Sequence, residues 1–123
     1  KFIIALEQEM RKIIIDKKAY GLSAIQIGEP VRLIIIKYGM EYVSLVNPQI
    51  TRASEKRAPF DEGCLSINEG RSLYTVHRFK LVTVRAVGMD GKDVRFKNAR
   101  DVSGRCLQHE IDHLNGILIN HKF

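Results

Sequence analysis

The residues of this chain best suited to chemistry lie near its end, in the stretch LQHEIDHLNG at 107–116. It contains His109, Glu110 and His113 in the order H-E-x-x-H. An α-helix turns about 100° per residue, so residues four apart share a face and their two imidazoles can bind one metal ion. Glu110 lies on the flank of that face, where its carboxylate can accept a proton from a water on the metal. The spacing indicates a candidate site for metal-assisted hydrolysis.

A catalytic metal of this type needs a third protein ligand, and the residues that follow the motif do not supply the usual ones. In the metzincin pattern H-E-x-x-H-x-x-G-x-x-H the ligand is the last histidine, but Ile119 occupies that position and His121 comes two residues too late. In the thermolysin type the ligand is a later glutamate, yet no Glu follows Glu110. We therefore expect the third ligand upstream, and a chance pair of surface histidines is the alternative.

Three upstream residues offer a nitrogen or sulfur ligand, namely Cys64, His77 and Cys106. Cys106 comes almost one helical turn before His109, too far along the axis for a metal on the other side of that histidine, so we expect it to be packed. His77 is expected to be an ordinary polar residue. Cys64 follows Gly63, which allows close backbone approach, and its thiolate would complete a Cys-His-His site.

Hydrophobic patterns predict the elements that position these residues. We expect helices over 2–20 and 99–115, strands over 31–37, 41–46, 50–54, 79–87 and 94–96, and loops over 21–30 and around DEGCLS at 61–66. Asn98 is the predicted cap of the last helix and Gly116 its predicted end. Gly104 should cost that helix about 1 kcal/mol relative to Ala unless something packs closely against it.

Composition restricts the class of protein. The chain has 123 residues, the size of one domain, and we expect a single domain over 1–123. Its 45% hydrophobic and 28% charged residues are typical of a soluble globular protein, and no apolar run approaches the length of a membrane span. The net charge of +6 allows attraction to polyanions, but the basic residues are dispersed, which predicts no dedicated nucleic-acid site.

Three separated motifs resemble those of the peptide deformylase family, in the same order. GLSAIQIG at 21–28 is similar to the family's glycine-rich segment, with Gly21 and Gln26 in the positions of its glycine and glutamine. EGCLS at 62–66 matches in full. The third motif, QHEIDHLNG at 108–116, matches at His109, Glu110, Asp112, His113 and Gly116.

The resemblance implies an α+β fold in which small antiparallel sheets pack around a central helix that bears H-E-x-x-H. It implies removal of the formyl group from the initiator methionine of nascent peptides, with release of formate. The implied metal is ferrous iron, with Zn²⁺, Ni²⁺ or Co²⁺ as substitutes. The implied roles are metal binding by Cys64, His109 and His113, acid-base catalysis by Glu110, an oxyanion hole from Gln26 and the Leu65 backbone N–H, substrate contact by Gly21 and Arg71, and a pair between Arg78 and Glu62.

The chain also departs from the family pattern. Ala19, Ser23, Ile25 and Asn68 replace usual residues, so we expect a differently shaped loop beside the substrate. The long C-terminal helix of many bacterial members has no counterpart, as in short deformylases carried by bacteriophages. We therefore expect action on nascent chains without helix-mediated ribosome docking, by a monomer in the cytoplasm of a bacterium or of a phage's host.

Two alternatives stay open at this point. One is a different H-E-x-x-H metallopeptidase, which the missing downstream ligands disfavour. The other is a non-catalytic, metal-stabilised or RNA-associated domain, which would not require Glu110 and Gln26.

Overall fold

The computed structural model describes residues 2–64 and 73–117. Within these ranges, helices α1 and α2 lie at the two ends and short strands lie between them. The elements are α1 (Phe2–Asp16), β1 (Gly21–Ser23), a 3₁₀ turn (Ala24–Ile27), β2 (Leu33–Tyr38), β3 (Glu41–Ala53), β4 (Arg57–Glu62), β5 (Tyr74–Phe79), β6 (Val82–Val87), β7 (Asp93–Ala99) and α2 (Asp101–Leu114). Neither described helix combines the length and the apolar character that crossing a bilayer requires.

All strand pairs are antiparallel. Five strands form a sheet in the order β1-β2-β3-β6-β7, and β4 pairs with β5 in a second, two-stranded sheet. Apolar side chains of α2 pack with one face of the larger sheet, and those of α1 pack with the other. The α+β prediction, with small antiparallel sheets around the H-E-x-x-H helix, is confirmed.

Strand β2 explains how one sheet holds both helices. Successive side chains of a strand point to opposite faces, so Ile34 and Ile36 pack with α2 whereas Leu33 and Ile35 pack with α1. All four are fully buried. The continuous apolar run of β2 therefore marks a strand covered on both sides, which fixes the position of α2 relative to β1.

Helix α1 is shorter than predicted. It ends at Asp16 rather than near residue 20, because Lys18 adopts a left-handed backbone conformation with φ of 52°. The N–H of Ala19 then donates to the carbonyl of Ile14 at 3.0 Å, a bond typical of a Schellman helix end. Glycine usually occupies the left-handed position, since this conformation costs other L-residues about 1 to 2 kcal/mol.

Several strand boundaries also differ from the prediction. The break expected at Asn47 is a bulge inside one long strand, β3, where the register with β6 shifts and Asn47 has φ of 51°. The strand predicted over 79–87 is present as β6, but it begins at Val82, and the first residue of the predicted range, Phe79, ends β5 in the other sheet. Residues Arg57–Glu62, part of which was predicted as loop, form β4. Its alternate residues are exposed, so its apolar content is low.

The start of α2 was predicted incorrectly and its end correctly. Arg100, not Asn98, is the N-cap residue, since Asn98 still belongs to β7, has a left-handed φ of 53° and donates its backbone N–H to the hydroxyl of Thr83 in β6. Gly116 has φ of 78°, the conformation expected of a residue that follows a helix. A Cβ on Gly104 would lie 2.7 Å from the carbonyl oxygen of Ala99, so this glycine permits the close approach of β7 to α2.

We predict that Gly104→Ala destabilises the protein, although Gly→Ala inside a helix is ordinarily stabilising. The added Cβ collides with backbone that cannot rotate away, so we expect a loss of about 1 to 3 kcal/mol in the free energy of unfolding, measured by urea denaturation. Val102→Ala, at an exposed position of the same helix, is the control and should change stability by less than about 0.5 kcal/mol. A more stable Gly104→Ala variant would contradict the proposed contact.

Candidate metal centre

Helix α2 and the end of β4 bring three potential metal ligands together. One ligand atom each from Cys64, His109 and His113 lies within 4.8 Å of the other two, and all three residues are buried. The sulfur of Cys64 is 3.4 Å from Nε2 of His113. The two imidazole rings are almost perpendicular, with centroids 4.5 Å apart. One sulfur and two nitrogens at this spacing fit a zinc or iron ion.

A buried arginine holds these ligands in place. Arg78 is only 1% exposed, and it donates to both carboxylate oxygens of Glu62, at 2.8 and 3.1 Å, and to the carboxylate of Asp112. Glu62 in turn accepts a hydrogen bond from Nδ1–H of His109 at 2.9 Å. This bond occupies Nδ1 and leaves Nε2 of His109 for a metal, an arrangement common around metal-binding histidines. The predicted pair of Arg78 with Glu62 is confirmed.

The network keeps Glu62 ionised. Burial by itself raises the pKa of this carboxyl group, but the hydrogen bonds from His109 and Arg78 and their positive charges outweigh it and lower the pKa to about 2. Burial likewise opposes the charge of Arg78, yet its carboxylate partners Glu62 and Asp112 raise its pKa above the ordinary value. The charges at the base of the site are therefore fixed.

The two histidines hold protons strongly. Burial lowers the pKa of each imidazole, but hydrogen bonding to Cys64 and to a carboxylate raises it, to about 10 for His109 and about 9 for His113. The carboxylate is Glu62 for the first and Glu110 for the second. A metal that binds here competes with these protons, since it needs neutral imidazoles and a thiolate.

Glu110 lies directly beside the ligand cluster. Its Oε1 accepts a hydrogen bond from Nδ1–H of His113 at 2.9 Å, and its Oε2 is 4.0 Å from Nε2 of His109. A Cβ on Gly21 would lie 2.7 Å from Oε2, so the glycine leaves the space that this carboxylate occupies. The structure thus brings Gly21, at the start of β1, against the predicted base.

Gln26 directs its amide donor at the cluster. Its Oε1 accepts hydrogen bonds from the backbone N–H and the hydroxyl of Ser23, which leaves Nε2 to donate to the Cys64 sulfur at 3.6 Å. The 3₁₀ turn that carries Gln26 was expected to be loop. A fixed neutral donor in this position can stabilise negative charge that develops on a substrate oxygen.

A cleft of about 430 Å³ opens onto these groups. Its described walls come from the 17–21 connection before β1, the 61–64 end of β4 and α2 side chains between 102 and 110. Cys106 also lines it, but burial and the nearby carboxylates Glu110 and Glu62 raise the pKa of its thiol to about 12. Cys106 therefore stays a protonated thiol, as expected for a residue that does not bind metal.

Of the predicted site residues, the structure brings six together, and these are Gly21, Gln26, Cys64, His109, Glu110 and His113. Leu65 and Arg71 lie outside the described residues. Sequence reasoning did not anticipate that Asp112 binds Arg78, although the motif contains this aspartate. It also missed Gln108, whose side-chain amide pairs with the backbone N–H and carbonyl of Phe79 and attaches α2 to β5. The sequence signal that could have identified Gln108 is its position directly before His109 in the motif.

Comparison with known proteins identifies relatives over most of this chain. The family model described as Polypeptide deformylase matches residues 1–123. The peptide deformylase of Rhizobium meliloti is 42% identical over 118 residues, which cover 92% of this chain and 66% of the relative. That of Agrobacterium fabrum is 39% identical over 121 residues, covering 94% and 69%. The chain thus spans about two thirds of the length of the curated relatives it matches.

Solved structures agree with the sequence relatives. A class I type b peptide deformylase from Acinetobacter baumannii superposes with a TM-score of 0.92 at 29% sequence identity. The match covers 99% of this chain and 81% of the Acinetobacter chain. A probable peptide deformylase from Synechococcus phage S-SSM7 has a TM-score of 0.89 at 35% identity, with 98% and 83% covered. The full-length family match and these relatives show that the chain belongs to the polypeptide deformylase family.

Proposed function

We propose that this chain is a metal-dependent hydrolase that removes the N-formyl group from the initiator methionine of nascent polypeptides and releases formate. The observation that carries the proposal is the convergence of Cys64, His109 and His113 within 4.8 Å, beside Glu110, in a member of this family. We further propose that residues 1–123 form one catalytic domain, active as a monomer in a bacterial or phage-host cytoplasm.

In this proposal Cys64, His109 and His113 hold one divalent cation. We propose Fe²⁺, and Zn²⁺, Ni²⁺ or Co²⁺ would suit the same donor set of one thiolate and two imidazoles. A divalent cation supplies Lewis acidity there, which lets water lose a proton near neutral pH. The reducing cytoplasm would keep the Cys64 sulfur available as a ligand.

The chain's own residues handle the protons and the developing charge. Glu110 takes the proton of the attacking water and later delivers a proton to the amine as the formyl C–N bond breaks, so that formate and a free N-terminus result. Gln26 Nε2 donates to the carbonyl oxygen as it becomes negative. By its match to the family motif, the backbone N–H of Leu65 is proposed as a second donor, and Arg71 as a substrate contact. By its match to the same motif segment, Gly21 at the start of β1 is proposed as the point where the substrate backbone approaches, beside Glu110.

The decisive experiment compares formyl-Met-Ala-Ser with Met-Ala-Ser. Anaerobically prepared, metal-analysed protein should release formate from the first peptide and leave both peptide backbones intact, as judged by a formate assay and mass spectrometry. Cleavage of an internal peptide bond with no formate release would instead identify a different metallopeptidase.

The two cysteines provide a matched test of the ligand set. Cys64→Ala should weaken metal binding by at least about 100-fold, since losing even an outer-shell partner of a ligand costs about 10- to 100-fold. Cys106→Ala should keep its metal, because this thiol is protonated and lies outside the three-residue cluster. Metal content of the purified variants decides between them, and loss of metal from the Cys106 variant alone would show that the third ligand is assigned to the wrong thiol.

Glu110→Gln separates metal binding from turnover. The amide oxygen can still accept the hydrogen bond from His113, so metal content should be unchanged, but the side chain can no longer carry a proton. We expect kcat/KM for formate release to fall about 10²- to 10⁴-fold. Glu9→Gln, at an exposed position of α1, is the control and should keep wild-type activity. A Glu110→Gln variant with wild-type turnover would rule out this residue as the base.

A further inference from the structure

The mouth of the cleft is positively charged. Lys17 and Lys18 line it from the turn after α1, and Arg105 lines it from α2, where its guanidinium stacks 4.5 Å from the ring centroid of Phe60. Neither lysine side chain has an ion-pair partner among residues 2–64 and 73–117. Of the three carboxylates on the described walls, two belong to the hydrogen-bonded metal centre, and only Asp61 remains outside it. The outer cleft therefore favours anionic groups.

The backbone conformation of Lys18 indicates that a lysine at this position does not stabilise the fold. It occupies the left-handed position at the end of α1, where glycine is favoured because it has no Cβ. Its side chain is exposed and packs in neither apolar cluster. A cation near a helix C-terminus is favourable, but Lys17 already provides one. Strained residues of this kind cluster at functional sites.

The direction of β1 places Lys18 downstream of the reacting group. β1 is the edge strand of the larger sheet, and Gln26 and Cys64 meet beyond its C-terminal end. A peptide whose formyl group lies near Gln26 and whose backbone runs antiparallel to β1 carries its later residues past Gly21 towards Lys18. These two positions are three residues apart, and because the chain turns at Lys18 their separation is at most roughly 10 Å, the length of three extended residues at about 3.4 Å each.

We propose that Lys18, supported by Lys17 and Arg105, makes this site selective for formylated peptides with an acidic side chain two or three residues after the methionine. The inference rests on the proposed deformylase activity and specifies its substrates. Because both lysines are exposed and Arg105 is only half-buried, each cation contributes a modest factor, about 2- to 5-fold in kcat/KM. A selectivity that arises from charge also weakens at high salt, because salt screens the interaction, whereas a selectivity that arises from packing does not.

The test uses two isosteric peptides that differ in one charge, formyl-Met-Ala-Glu and formyl-Met-Ala-Gln, both with amidated C-termini. A second pair, formyl-Met-Ala-Ala-Glu and formyl-Met-Ala-Ala-Gln with the same C-terminal amide, places the charge one residue later. Metal-loaded wild-type protein should show kcat/KM about 3- to 10-fold higher for the acidic peptide of at least one pair at low ionic strength, and this ratio should approach one as salt is added.

Variants of Lys18 separate specificity from stability. Lys18→Gly should reduce the ratio about 2- to 5-fold while raising the midpoint of thermal unfolding by about 2 to 4 °C, because glycine relieves the left-handed strain. Lys18→Glu should reduce the ratio further. Lys12→Glu makes the same charge change on α1 outside the described cleft lining and should leave the ratio unchanged. A merely structural Lys18 would alter the midpoint without moving the ratio.

Three results would overturn the inference. Equal kcat/KM values for the acidic and neutral members of both wild-type pairs would show that the cleft does not select charge. Equal effects of Lys12→Glu and Lys18→Glu would assign the preference to the overall positive charge of the protein. Failure of every formylated peptide to release formate would instead contradict the deformylase activity, and the inference would fall with it.

Discussion

The buried guanidinium of Arg78 is the interaction on which the site depends. Through Glu62 it connects β5 to the end of β4, two residues before Cys64, and through Asp112 it connects both strands to α2. Removing one member of a buried ion pair typically costs about 3 to 5 kcal/mol, because the remaining charge is left without a partner in a medium of low polarity. Glu62 also holds the His109 ring. The same network thus sets the position of the Cys64 sulfur and the orientation of the His109 ring, two of the three potential metal ligands.

This network works only because α2 itself cannot shift. Leu107, Ile111 and Leu114 pack against the larger sheet, and Gln108 pairs with the backbone of Phe79 in the smaller sheet. The helix is therefore fixed from two sides, by apolar contacts with one sheet and by paired amide hydrogen bonds with the other. Gly104 permits a third close contact, between the first turn of α2 and the end of β7. Rigid elements of this kind suit a site whose ligands must converge on one ion.

The sequence was most informative where local spacing alone decides the geometry. Two histidines four residues apart must share a helix face, and because no usual ligand follows them, Cys64 is the predicted third ligand. The continuous apolar run of β2 likewise identified a buried strand. What could not be predicted depends on distant partners. Arg57–Glu62 has no strong apolar alternation and becomes a strand by pairing with β5, and Arg78 meets Asp112 across 34 positions. The left-handed backbone of Lys18 has no sequence signal, since glycine is the residue that predicts it.

One further constraint concerns charge. The carboxylates around His109 and His113 must be compensated both when the imidazoles are protonated and when a cation would replace those protons. Burial lowers the pKa of both imidazoles, but hydrogen bonds to the Cys64 sulfur and to carboxylates outweigh it and raise the pKa to about 10 for His109 and about 9 for His113. Two imidazolium protons carry the same total charge as one divalent cation, so exchange of protons for metal leaves Glu62 and Glu110 facing a similar charge. Those two carboxylates, the buried ones among residues 2–64 and 73–117, can therefore keep both imidazoles in position in either state and face a compensating positive charge in each. The chain itself therefore holds the three potential ligand atoms close together, so a cation that binds there would complete the cluster without having to assemble it.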